Sequence, residues 1–311
     1  MTRDRAERRP AAQPALVWAA LLTVYVLWGS TYLAIRVAVT TMPPLLMAGA
    51  RFTIAGLLLL AWRLPIAMRA GKVPSIDEWR RTLVIGAALL LGGNGGVAFA
   101  ETTVPSGLTA LIVSTVPLWM TAIDAVFYKR MPSRSALVGL ATGFGGVALL
   151  IGAPGGGSVS IAGAIVLVLA SLSWAAGSIY SRSAKLPEDS FLATGMQMVA
   201  GGACLLIVGT AFREYARVDI GTVSYNSWIA FGWLVFFGGI VGFSAYLWVI
   251  RNASTALVAT YAYVNPVVAV ALGWAILSEP ITFKTLLAGA VIVASVALIV
   301  SAGTRASPDQ Q

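Results

Sequence analysis

Any chemistry in this chain must be done without histidine and with one thiol. Its 311 residues include no His and a single Cys, Cys204, inside an apolar run. That rules out histidine metal sites, His general bases, Ser–His and Cys–His nucleophile pairs, multi-cysteine zinc sites and disulfides. No pair of carboxylates and no nucleophile with its base stands out either. The residue types therefore point away from an enzyme and require no metal or cofactor. What they offer instead is polar and aromatic side chains set inside long apolar stretches.

Ser114, Pro117, Thr121, Asp124 and Tyr128 fall at i, i+3, i+7, i+10 and i+14, one stripe along a helix, with Trp119 in the same stretch. Tyr25, Trp28 and Tyr32 share a helix face, as do Ser171, Trp174 and Ser178. Asn94 is set between Gly92-Gly93 and Gly95-Gly96, with Glu101 two turns further along. Tyr261 and Asn265 are one turn apart, with Tyr263 and Pro266 beside them. Lipid-facing surfaces favour Leu, Val, Ile and Phe, whereas small and polar residues gather at helix contacts or cavities. Trp28 and Trp174 lie near mid-depth, whereas Trp18, Trp62, Trp79 and Trp228 lie near stretch ends and suit interfacial anchors.

Together these side chains predict a cavity for a partly apolar solute. It would be lined by Trp28 and Tyr32, by Asn94, by Ser114, Trp119 and Thr121, by Trp174 and Ser178, and by Tyr261, Tyr263 and Asn265. Rings supply apolar area and stacking, while amides and hydroxyls orient a zwitterionic head. Helix packing is the alternative for each residue taken singly. Pro117 and Pro266, each inside a span, are expected to be hinges or static kinks. The Gly92–Gly96 cluster has no strand–turn–helix context for a phosphate cradle, so close helix packing is expected. Two charges fall within apolar stretches, at a cost of ~2.5–3.5 kcal/mol each at mid-bilayer. Arg51 and Asp124 would be separated by roughly 13 Å at 1.5 Å per residue, too far for a direct pair. Arg51 is expected to be structural, reaching Asn94, Glu101 or carbonyl groups, with a substrate carboxylate as the alternative partner. Asp124 is expected either to carry a coupling proton or to snorkel towards Lys129.

The elements that must hold these residues are set by composition. The chain is 58% hydrophobic and 11% charged, with mean hydropathy +0.85, far from the ~25% charge of soluble domains. The net charge is +9, but the basic residues lie between apolar runs rather than in one stripe, so nucleic acid is not an expected partner. Runs of about 20 apolar residues cross a ~30 Å hydrocarbon core. Turn and charge punctuation yields ten of them, near 15–36, 43–64, 82–100, 107–128, 135–153, 160–180, 190–212, 226–250, 255–278 and 283–302. The breaks include Pro43-Pro44, Pro65, Pro132, Pro154-Gly155-Gly156-Gly157, Pro187 and Glu279-Pro280. The run from Ala15 to Ile35 is too long for a cleaved signal core and is expected to be a permanent span.

Sixteen of the 21 Lys and Arg residues fall in one alternate set of segments: both tails, 63–81, 129–134, Arg182 with Lys185, and Arg251. Four fall in the other (Arg36, Arg213, Arg217 and Lys284), and Arg51 lies within a span. This asymmetry predicts that both termini are cytoplasmic. Gly29-Ser30-Thr31-Tyr32 recurs as Gly177-Ser178-Ile179-Tyr180, at an offset of 148. The run 145–151 echoes 294–300, and Pro117 falls on Pro266, both at an offset of 149. Five spans per repeat is an odd number, so the second copy would be inverted, an architecture in which two bundles rock about a midplane site. The expected fold is thus an all-α membrane protein with ten transmembrane helices in two inverted five-helix repeats, 15–153 and 160–302, between tails 1–14 and 303–311.

With Arg51 in AGARFTIAGLLLL and Pro266 and Glu279-Pro280 in VNPVVAVALGWAILSEPITFKTLLAGAVIVASVALIV, nearly the whole chain resembles the EamA-type drug/metabolite transporter superfamily. Within it the chain is similar to bacterial exporters of amino acids, aromatic ones included, and related metabolites. One departure is Lys129-Arg130, in the place of the acidic residue that the family often carries after its fourth span. The resemblance implies export of amino acids or related metabolites across a bacterial inner membrane, by active or facilitated alternating access, with no oligomer required. Alternatives are a cationic-drug exporter, which would want a carboxylate in mid-cavity, and a sugar-phosphate or nucleotide-sugar exchanger, which would want several cations there. Inverted repeats with hinge prolines favour a carrier over a channel.

Overall fold

The computed structural model describes residues 14–127, 129, 132–151, 160–253, 257–258 and 260–305. Tyr128, the Pro154–Gly157 turn and the basic N-terminal tail lie outside the described residues. The described chain is helical, with no strand among those residues. In order run α1 (Pro14–Ala38), α2 (Pro44–Arg69), α3 (Ile76–Ala100), α4 (Ser106–Phe127), α5 (Arg134–Ile151), α6 (Ile161–Ser183) and α7 (Ser190–Ala211). After short 3₁₀ turns at Glu214–Arg217 and Ile220–Thr222 come α8 (residues 225–252), α9 (Tyr261–Leu277) and α10 (Phe283–Arg305). Eight of these are long and apolar enough to cross a membrane, while the apolar parts of α5 and α9, Arg134–Leu150 and Tyr261–Leu277, are shorter.

Local sequence explains the boundaries. Pro44 opens α2 with the fixed φ of a first helical turn. Ser75 and Glu78 form a reciprocal capping box that starts α3 six residues before the expected 82. The Asp189 carboxylate accepts the Phe191 and Leu192 N–H groups at the start of α7. Ser278 adopts the left-handed conformation (φ 53°) that ends α9, Glu279 N–H returns to the Gly273 carbonyl at 3.1 Å, and Pro280 bars continuation. Pro65 does not terminate the second helix as expected, because α2 continues through it to Arg69.

Three spans are not the uniform helices that periodicity predicted. In α3 the segment Ala87–Gly95 is π-helical, and in α8 so is Leu234–Val241. In α4 the helix pauses at Ser114 and Thr115 before resuming at Val116–Phe127. Pro117 is therefore not a mid-helix kink: it sits in the first turn of that second piece, where a missing N–H removes no bond. Pro266 does lie inside its helix, α9.

α2 packs along α7, α5 along α10, and α1 against α8 and α9, while α6 lies on the π turn of α3. Side-chain contacts sort the helix ends into two groups. At one end, Arg36 donates to the Glu101 carbonyl, Thr41 Oγ1 to Ser227 Oγ at 2.8 Å, Leu46 N–H to Glu214 at 2.9 Å, and Ser106 N–H to Glu279 at 2.7 Å. At the other, Arg63 Nε donates to Asp189 at 2.7 Å and Lys72 to Glu188 at 2.7 Å, and Asp124 lies 4.0 Å from Arg182. We call these the glutamate end and the aspartate end. α1, α3, α7 and α9 run towards the glutamate end, and α2, α4, α6 and α8 run away from it.

Candidate functional site

Between the helices lies a cavity of about 200 Å³, reached by residues of α1, α2, α3, α4, α6, α8 and α9. That is room for on the order of ten water-sized groups. Its lining is closed towards the glutamate end: Arg51 (4%), Val97 (7%) and Ala110 (1%) are buried. Lining residues further along, among them Met120, Trp174, Phe243 and Tyr261, are half-exposed. The chamber is sealed at one end and looser at the other.

Trp28 of α1 anchors the aromatic wall. Its ring lies 4.8 Å from Tyr246, 5.4 Å from Phe243 and 5.4 Å from Tyr261, the last two edge to face. The ring fits because residue 242 is glycine, where a Cβ would stand 2.7 Å from Trp28 Nε1. Trp174 reaches the opposite wall in the same way, since a Cβ on Gly93 would stand 2.8 Å from its ring. The Gly92–Gly96 cluster is thus a close packing surface for α6, as expected, and also the site of a π turn. Both π segments border the cavity, through Gly93 and Asn94 on α3 and Gly238 and Gly239 on α8.

Polar side chains of the lining include Thr31, Tyr32 and Tyr261 as well as Arg51, Asn94, Ser114 and Asn265. Arg51 Nη2 donates to Asn94 Oδ1 at 2.9 Å, and the guanidinium lies 4.3 Å over the Phe52 ring. Its Nε has no hydrogen-bond partner, and neither has Asn265 Oδ1. The Ser114 hydroxyl donates back to the Leu111 carbonyl at 2.7 Å, which leaves oxygen lone pairs free at the α4 break. Among the described residues that line the cavity, Arg51 is the one cation and none is acidic.

The structure gathers ten of the sequence-derived residues at this cavity: Trp28, Tyr32, Arg51, Asn94 and Ser114, then Pro117, Trp174, Tyr261, Asn265 and Pro266. It places the others elsewhere. Trp119 packs on Phe144 of α5, ring centroids 4.7 Å apart. Thr121 hydrogen-bonds the Pro117 carbonyl at 2.9 Å. Ser178 follows Gly177, which packs on Ala88 and Leu89 of α3, and Tyr263 packs against the main apolar core. Asp124 approaches Arg182 of α6 rather than Lys129, and Glu101 is fully buried at the glutamate end. Sequence reasoning missed Phe52, Phe243 and the paired π turns. A usable signal existed for the last: the pair Gly92-Gly93 recurs as Gly238-Gly239 at an offset of 146.

Comparison with known proteins fits this architecture. The chain is 39% identical over 284 residues to the uncharacterized inner membrane transporter YedA of Escherichia coli K12, covering 91% of this chain and 90% of that one. It is 29% identical to the uncharacterized transporter YvbV of Bacillus subtilis, over 93% and 92% of the two chains. A probable amino-acid metabolite efflux pump of Salmonella typhimurium is 28% identical, over 88% and 90%. A solved crystal structure, 21% identical, matches 95% of this chain and 100% of its own with a TM-score of 0.62, which speaks to the fold alone. The profile of the EamA-like transporter family matches twice, over residues 14–152 and again over 161–301. With both halves matched, the chain belongs to the EamA-like transporter family, within the drug/metabolite transporter superfamily.

Proposed function

We propose that this protein exports amino acids, including aromatic and other neutral ones, and related metabolites across the bacterial inner membrane by alternating access. In this reading ten spans form two inverted five-helix repeats, 15–153 and 160–302, with both termini in the cytoplasm. The helix directions support the inversion: α1 to α4 each run opposite to α6 to α9, their counterparts half a chain later. The excess of Lys and Arg at the aspartate end supports a cytoplasmic assignment for that end.

The observation that carries the function is the cavity itself. Helices of both halves enclose it, its walls are aromatic, and it is closed at one end while looser at the other. Rocking the halves about such a chamber would expose it to each side in turn. Its chemistry also sorts the substrates. A sugar phosphate would need several cations, and Arg51 is the single cation among the described lining residues. An organic cation would need an acid there, and Asp124 and Glu101 are not among the lining residues. The amino-acid efflux name of the Salmonella relative supports the same class. The test is counterflow in proteoliposomes preloaded with unlabelled substrate. Labelled neutral amino acids are expected to enter by exchange, and exchange confined to phosphate esters or organic cations would overturn the reading.

A further inference from the structure

Among the cavity lining, two polar side chains are buried more than nine-tenths with hydrogen-bonding capacity unmet. Arg51 is 4% exposed and Asn265 is 8% exposed. A guanidinium carries five N–H donors, and the one hydrogen bond Arg51 makes is to Asn94, with Nε unpartnered. Asn265 has an unpartnered carbonyl oxygen. Both atoms are closed off and unpaired in this conformation, at a cost that a fully paired core would not bear, and a ligand meets them as the two side chains turn into the chamber that their residues line. They come from opposite halves, α2 and α9, and border the same chamber. One offers a cationic donor and the other an acceptor. Beside them stands an apolar surface of Trp28, Phe243 and Tyr261.

We propose that Arg51 and Asn265 form a zwitterion subsite in which the Arg51 guanidinium takes the substrate's α-carboxylate, the Asn265 side-chain oxygen takes its α-ammonium, and the aromatic wall takes the side chain. The assignment rests on the amino-acid reading above and narrows it to ligands that carry a free carboxylate and a free amino group on a bulky apolar body. A carboxylate suits the planar donor fork of Arg, and its single charge matches the single cation present. An ammonium suits an amide oxygen that nothing else satisfies. Asn94 holds the guanidinium in place from the π turn of α3. A ligand that lacks either group would leave a buried partner unpaired, the situation that gives polar sites their sharpest discrimination.

The experiment is counterflow of labelled phenylalanine in proteoliposomes, competed by phenylalanine, phenylalaninamide and 3-phenylpropionate. Wild-type protein is expected to favour phenylalanine at least tenfold over the amide, which lacks the carboxylate, and over the propionate, which lacks the amine. Arg51→Gln should abolish discrimination against the amide while keeping that against the propionate, and Asn265→Ala should do the reverse. A purely structural role would weaken all three competitors together. Equal competition by all three on wild-type protein overturns the subsite, and so does a variant that folds and keeps wild-type discrimination. Should Arg51→Gln fail to fold, the competitor series on wild type and Asn265→Ala still decides. A wild-type protein that exchanges no amino acid at all overturns the functional reading itself, a distinguishable result.

Discussion

Trp28 holds its position only because residue 242 has no side chain. A Cβ there would press on Trp28 Nε1 at 2.7 Å, and the phenyl ring of Phe243 leaves it little room to retreat. Gly242→Ala is expected to cost about 1–3 kcal/mol of stability, as overpacking does, and to weaken exchange by displacing the ring. Thermal unfolding in detergent and counterflow would report the two effects separately. Trp174→Ala should weaken exchange too, because its ring borders the cavity. Tyr263→Ala, by contrast, should leave exchange per folded molecule unchanged, since half-buried Tyr263 packs against the apolar core and is not among the residues that line the cavity. Sequence spacing put Tyr261 and Tyr263 in one group, although alternate residues on a helix point about 200° apart, and only Tyr261 borders the cavity. Arg51 was legible as a buried cation, structural or facing a substrate carboxylate, and periodicity could not choose between the two because it does not say what a helix face meets.

Helices and their connections show where pattern reading stops. Apolar length found the helices, and Pro44, Asp189 and Glu279-Pro280 mark their ends through local chemistry that needs no tertiary context. The π turns and the pause at Ser114-Thr115 depend on what packs against them, so a single-helix period hid them. Glu101, just past α3, shows the same limit at a connection. It is fully buried and neither carboxylate oxygen has a hydrogen-bond partner. Burial pushes its carboxyl well above the ordinary range, Glu279 adds to this, and Arg36 and Arg51 pull the other way. The sign of the linkage follows: a carboxyl raised in the folded state stabilises the fold below the unfolded value of about 4.3, and this is lost as pH rises through the folded value. The thermal midpoint of wild-type protein should therefore fall as pH rises from about 4.3 towards the folded value, and Glu101→Gln should fall less steeply over the same range. An identical slope in both would remove Glu101 as the cause.

Asp189 gives the opposite sign. Burial alone would raise its carboxyl, but the Arg63 guanidinium and the Leu192 and Phe191 N–H groups outweigh this and hold it below the usual range. Its contribution is present above the unfolded value and disappears as pH falls through the folded one. Asn also caps helices well, so Asp189→Asn isolates the ion pair and should cost about 1 kcal/mol. Asp189→Ala removes the cap as well and should cost about 2 kcal/mol. The difference between wild type and Asp189→Asn should shrink in acid, as read by thermal unfolding.

Seen whole, the two halves are joined at both ends by carboxylates that cross between them, Asp189 and Glu188 at the aspartate end and two glutamates at the other. Glu214 of the second half accepts the Leu45 and Leu46 N–H groups that open α2, and Glu279 accepts Ser106 and Gly107 N–H groups that open α4. Helix N-termini welcome such charges. None of this pairing could be read from the chain, since each contact joins residues more than 160 positions apart. The sidedness of the ends is an expectation from the chain alone, because basic residues resist translocation whatever the packing. With Cys204 replaced by Ser, Ser160→Cys should be labelled from outside intact cells and Ser183→Cys should not, and labelling of both from one side would break the inverted arrangement.

The most direct measurement uses the same cysteine-free background with Met120→Cys, which places one thiol in the half-exposed cavity lining. Its initial rate of reaction with a membrane-impermeant maleimide is compared in inside-out and right-side-out vesicles without substrate. A single chamber closed at the glutamate end should react at least tenfold faster in inside-out vesicles, where the aspartate end faces the reagent. Equal rates from both sides would describe an open pore and contradict the carrier.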